Sequence, residues 1–117
     1  MKHIIISLSG SMLVILNGAG FAQNYPVKPV RLVVAFAPGG ATDTFSRVTA
    51  AEMGKTMGQQ VLVENRPGAG TTIAAEHVAK SAPDGYTLLF TDLSTHTIMP
   101  SIYAKLGFHP LRDLRCI

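Results

Sequence analysis

A parallel α/β sheet with flanking helices is the fold class that this 117-residue sequence predicts, on three observations. Short runs of β-branched and apolar residues alternate with longer stretches of helical spacing. The first two runs end in turns that contain proline and glycine. The first run, Val30 to Phe36, has too few polar residues to be a strand with one wet face, which suits a strand covered on both sides. Alternation of strand and helix in this order argues for parallel strands joined by right-handed crossovers.

The first residues stand apart. Met1-Lys2-His3 is a basic start, Ile4 to Ala19 is mostly apolar, and Gly20 and Ala22 place small residues at −3 and −1 before Gln23. That is the layout of a secretory signal peptide over residues 1–22. The run is shorter and more polar than the ~20 apolar residues that a spanning helix needs. No Arg-Arg pair precedes it, which favours export by the Sec route with cleavage after about Ala22. Without Lys2 the rest carries 9 Lys and Arg against 7 Asp and Glu, a formal charge of +2 with no basic run, so a nucleic-acid partner is not expected.

Tyr25-Pro26-Val27-Lys28-Pro29 reads as an extended lead-in, because proline biases its predecessor away from helix. After the first strand, Pro38-Gly39-Gly40 breaks the run. The spacing predicts a helix over Asp43 to Met57 with Thr42 or Asp43 as N-cap, and Gly58 as its stop. Phe45, Val48, Thr49, Met53 and Met57 are expected to form its core-facing stripe. Val61 to Glu64 follows as a second strand and Asn65 to Gly70 as a glycine-rich turn. Thr71 to Ser81 is read as a second helix with Thr71 or Thr72 near its cap and Ile73, His77, Val78 and the alanines facing in, His77 as a partly buried structural residue. Pro83-Asp84-Gly85 is a turn, Tyr86 to Thr91 a third strand, and Asp92 to Met99 a loop or short helix closed by Pro100. Ser101 to Leu106 offers one more helical turn.

The strongest chemical signal is the turn Pro38, Gly39, Gly40, Ala41, Thr42 and Asp43. In open α/β sheets ligands bind beyond the carboxyl ends of the strands. A helix start there has free amides and about half a positive charge, and the glycines let backbone N–H groups approach an anion. The spacing fits equally a plain strand-to-helix turn with a capping Asp. Asp43 leaves two arrangements open: it caps the helix while a ligand uses the amides of Gly39 to Ala41, or it accepts from water or a ligand amine. Thr91, Ser94, Thr95 and His96 follow the third strand and therefore fall on the same rim, where hydroxyls and an imidazole can hold an anion or bridging waters.

Other chemistries fit less well. Gly68-Ala69-Gly70 has Ile73 where a dinucleotide fingerprint needs glycine. Ser94 or Ser101 with His96 and Asp92 could be written as a hydrolase triad, but no G-x-S-x-G elbow follows the leader. His77, His96 and His109 are scattered, there is no H-E-x-x-H, and the single cysteine is Cys116, so neither a metal nor a cofactor is expected.

From Tyr25 to Asp113 the sequence resembles the substrate-binding proteins of tripartite tricarboxylate transporters, the TctC-like or Bug family. The matching pieces are Tyr25-Pro26 with Lys28 to Arg31, Phe36 to Gly40 with Thr42-Asp43, and Gly58-Gln59. They continue with Val63 to Gly70, Ala79-Lys80 with Ala82 to Leu88, His96, and Pro100 with Tyr103. Thr71 departs from the family, where a further glycine is common, and Ala35 where proline is. The resemblance implies a two-lobed Venus-flytrap protein that holds a small carboxylated compound between its lobes and delivers it to membrane permease subunits, without catalysis. It implies that the loops at Pro38–Asp43 and Thr91–His96 grip a ligand carboxylate, largely through backbone groups and water. On this reading residues 23–114 are part of the first lobe and 115–117 a tail outside the family pattern. The competing expectations are an exported remnant without activity and a small serine hydrolase.

Overall fold

The computed structural model describes residues 25–117. The signal-peptide reading of residues 1–22 lies outside the described residues. Three parallel strands form one sheet in the order β2-β1-β3, with β1 (Val30–Val34) in the middle, β2 (Val61–Asn65) and β3 (Thr87–Phe90) beside it. In register, Val30 pairs with Val61 and Val34 with both Asn65 and Phe90.

β1 is central because its side chains tolerate cover on both faces: Val30, Leu32, Val33 and Val34 are all buried. By the two-residue alternation of a strand, Val33 and Ala35 share a face, where they pack with Ala74, Val78 and Leu89. That face belongs to α2 (Thr72–Ala79), which packs on β3 and β1. α1 (Ala41–Met57) packs on β2 and β1. Two short helices, α3 (Ser94–Thr97) and α4 (Met99–Ile102), follow β3.

α1 starts two residues earlier than expected, with Gly40 at its N-cap and Asp43 as its third residue. Its end is as expected, at Gly58 in the left-handed conformation with its N–H bonded to Gly54 O. The expected stripe is wrong in its first half. The buried face is Asp43, Ser46 and Ala50, with Met53 and Met57 partly buried, whereas Phe45 is 68% and Val48 59% exposed. The polar anchor of Asp43 sets the rotation. Two residues along a helix turn the side chain by about 200°, so fastening Asp43 inward sends Phe45 outward. Small residues let the helix lie close, and the buried Ser46 hydroxyl is satisfied by donating to Asp43 O at 2.7 Å.

The second helix is preceded by a 3-10 turn, Ala69–Thr71. Ile73 does not face in: it is half exposed and folds back over Gly68, where any Cβ would meet its Cδ1 at 2.7 Å. Ala74 and Ala75 are fully buried, as expected of the alanines of this helix. His77 is partly buried as expected, and its Nε2 is a buried atom without a hydrogen-bond partner among the described residues. Pro100 does not close α3. It occupies the first turn of α4, where its missing N–H is no loss, and the chain leaves the helix after Ile102 rather than continuing to Leu106.

At the opposite end of the sheet from the loops, the lead-in is clasped to the turn before β3. Tyr25 meets Tyr86 edge-on at 5.1 Å, and Val27 N–H donates to the Tyr86 hydroxyl at 3.0 Å. The Lys28 ammonium lies 4.2 Å from the Tyr86 ring centre and 3.6 Å from Asp84.

Candidate functional site

Because all three strands are parallel, the segments that follow them emerge on one rim. The β1–α1 turn is held there by a polar knot around Asp43, which is buried. Gly39 N–H donates to Asp43 Oδ2 at 2.9 Å, Arg47 Nε to the same oxygen at 3.0 Å, and Asn65 Nδ2 to Oδ1 at 2.9 Å. Asn65, the last residue of β2, also donates to Phe36 O at 3.0 Å and accepts from Arg47 Nη2 at 3.2 Å. One side chain thus ties the ends of β1 and β2 to the start of α1. The Arg47 guanidinium, with the Gly39 amide and Asn65, holds the Asp43 carboxyl down at about 2.

The knot matches neither of the two arrangements left open for Asp43, which is the third residue of α1 and not its N-cap. Its carboxylate takes the Gly39 amide, so that donor is occupied within the protein. The amides of Gly40, Ala41 and Thr42 precede the first backbone bond of the helix, from Thr44 N–H to Gly40 O. Arg47 offsets the negative charge that Asp43 brings to the turn, and the helix start keeps its positive end. Gly39 sits at φ +87, a left-handed conformation that suits a residue without Cβ.

The loop after β3 carries the remaining expected residues. Thr95 is fully buried, and its hydroxyl lies 2.8 Å from that of Thr71 and 2.7 Å from that of Thr91. Ser94 donates its hydroxyl to Asp92 and its amide to the same carboxylate at 3.1 Å. The Ser94 hydroxyl is therefore paired with Asp92 and not with His96, unlike the serine of a hydrolase triad. Thr91 and His96 line a cavity of about 660 Å³, together with Val78, Leu89 and Asp113. Pro38 to Asp43, Ser94 and Thr95 do not line it. The two loops lie on the same rim, and the cavity lined by Thr91 and His96 does not extend to the β1–α1 turn.

Three supporting residues were not singled out as site residues by sequence reasoning. Arg47 was legible as the i+4 partner of Asp43. Asn65 stood in the turn after β2 with nothing in the spacing to join it to Asp43. Thr71 had been placed near a helix cap, and no local signal announced its contact with Thr95.

Comparison with known proteins bears on this geometry. The family described as "Tripartite tricarboxylate transporter family receptor" matches residues 45–117. MatC from Rhodopseudomonas palustris, solved with bound malate, is 48% identical with a TM-score of 0.71, over 76% of this chain and 30% of its own. Rpa4515 of R. palustris, solved with adipate, is 37% identical with a TM-score of 0.70, over 74% of this chain and 29% of its own. The periplasmic binding protein BugD is 41% identical with a TM-score of 0.69, over 76% and 29%. The chain spans about 30% of the length of the curated relatives it matches.

Proposed function

Because the chain belongs to the tripartite tricarboxylate transporter receptor family, we propose that it serves a periplasmic solute-binding protein for small carboxylated compounds, which hands its ligand to the permease subunits of such a transporter. The ligand carboxylate docks at the start of α1. Gly40, Ala41 and Thr42 donate their amides, Gly39 and Pro38 shape the turn, and Asp43 fastens it. Thr91, Ser94 and His96 complete this side of the site through hydroxyls, the imidazole and bridging water, while the fully buried Thr95 supports Thr91 from behind. The observation that carries the reading is the Asp43 knot, which occupies the Gly39 amide, neutralises its own charge with Arg47, and leaves the next three amides to a ligand. Dicarboxylates of the size of malate and adipate, which MatC and Rpa4515 hold, are the first candidates.

The matched residues cover only 30% and 27% of the relatives' length, and in the two-lobed arrangement implied by the family resemblance a second lobe closes over the ligand. Residues 23–114 correspond to part of the first lobe on this reading. Closure supplies contacts and excludes water, so these residues alone are expected to bind at about millimolar strength or weaker. The test is an amide NMR titration of residues 23–117 with malate and adipate. Shifts confined to Gly40–Thr42 and the Thr91–His96 loop are expected. No response there at tens of millimolar ligand would sink the docking site, and a micromolar constant would sink the half-site reading. The pairing of Ser94 with Asp92 supports binding rather than ester hydrolysis.

A further inference from the structure

The buried threonine hydroxyls carry a proton count that the docking reading does not use. Each hydroxyl donates one proton and accepts up to two. Thr95 lies between Thr71 and Thr91, and no other side-chain or backbone partner of its hydroxyl occurs among the described residues. Its single proton therefore goes to Thr71 or to Thr91. The hydroxyl that receives it must send its own proton elsewhere, while the other donates to Thr95.

Burial chooses between the two. Thr71 is 6% exposed, and its hydroxyl has Thr95 as its one partner among the described residues. If Thr71 received the proton, its own would be left without an acceptor inside the protein, which is unfavourable. Thr91 is only partly buried and lines the open cavity with His96. The chain therefore runs from Thr71 to Thr95 to Thr91 and delivers one proton outward. The backbone supports a specific role for Thr71. It adopts φ +78, a conformation unfavourable for a β-branched residue, at the end of a run of positive φ that begins at Gly68.

The geometry points to Thr71 as a positioning residue. By fixing the direction of the hydroxyl chain it makes Thr91 a donor into the cavity that it lines with His96 after β3, so that this loop selects an acceptor-only oxygen, such as a carboxylate, over a ligand group that donates. This rests on the docking reading above and adds to it the residue that sets ligand polarity.

The test uses the chain as it stands, titrated with sodium succinate and, in parallel, with its neutral diamide. Thr71→Gly removes the hydroxyl while accepting the left-handed backbone, and Thr71→Ser keeps the hydroxyl. Thr71→Gly is expected to weaken succinate binding about tenfold, with little change for the diamide and no loss of melting temperature. Thr71→Ser is expected to restore succinate binding. Succinate affinity in Thr71→Gly within about twofold of wild type would overturn the inference. So would a loss of binding that merely tracks a loss of thermal stability, or a failure of Thr71→Ser to restore it. If wild-type shifts appear at Gly40–Thr42 but not at Thr91, this inference fails and the docking reading survives. If neither responds, both fail.

Discussion

Asp43 joins the acid–base behaviour of the chain to its binding turn. Its carboxyl is lowered from 3.8 to about 2 by Arg47, the Gly39 amide and Asn65. A carboxyl depressed on folding contributes stability that is complete above its unfolded pKa and is lost as pH falls through the folded value. Unfolding followed between about pH 4 and pH 2 should therefore show falling stability, and Asp43→Asn should flatten that slope. An unchanged slope would remove Asp43 from the account. Glu64, lowered by Arg31 and Arg66, and Asp113, lowered by Arg112 and the His109 amide, act in the same direction and leave a residual slope in the variant. Asn65 has a different task, because its amide nitrogen serves Phe36 O and Asp43 together. Asn65→Asp places a second carboxylate beside the first and strips a donor from both acceptors. It is expected to destabilise by about 1–3 kcal/mol in equilibrium denaturation and to broaden the amide signals of residues 37–42.

At the scale of elements, α1 separates what was legible in the sequence from what was not. Its existence, its stop at Gly58 and its place after a buried strand follow from local chemistry. Its rotation does not, because a hydrophobic stripe reports which side prefers oil, whereas here a buried carboxylate and two small residues decide which side touches the sheet. Phe45→Ser is accordingly expected to change stability by no more than about 0.5 kcal/mol. Ala50→Leu, on the covered face, is expected to lose about 1–3 kcal/mol by overpacking. The reverse ranking in thermal melts would restore the original stripe. The same division holds for the rim. Pro38–Asp43 and Thr91–His96 could be assigned to one edge from strand order alone, since parallel strands bring successive loops together. The link from Asn65 to Asp43 and from Thr71 to Thr95 could not, because each spans more than twenty residues and depends on side-chain reach.

At the scale of the whole molecule, the described residues form a sheet with open flanks. No strand pairs with the outer edge of β3 among them, and Leu93, Ile98 and Ile102 are exposed at 74%, 49% and 65%. Apolar surface gathered in this way binds apolar dyes. Anilinonaphthalene sulfonate is expected to fluoresce in the presence of the folded chain, and Leu93→Ser with Ile102→Ser should reduce that signal without lowering the melting temperature. Dye binding unaffected by the pair would place the apolar surface elsewhere. The clasp of Tyr25, Val27 and Lys28 onto Tyr86 and Asp84 has a practical corollary. It lies at the end of the sheet away from the ligand-side loops, separated from them by a five-residue strand, or about 16 Å of chain. A fluorophore or surface tether joined ahead of Tyr25 would enter along that clasp and stay a strand's length from the docking turn, which makes this end the natural handle for building a carboxylate sensor from the chain.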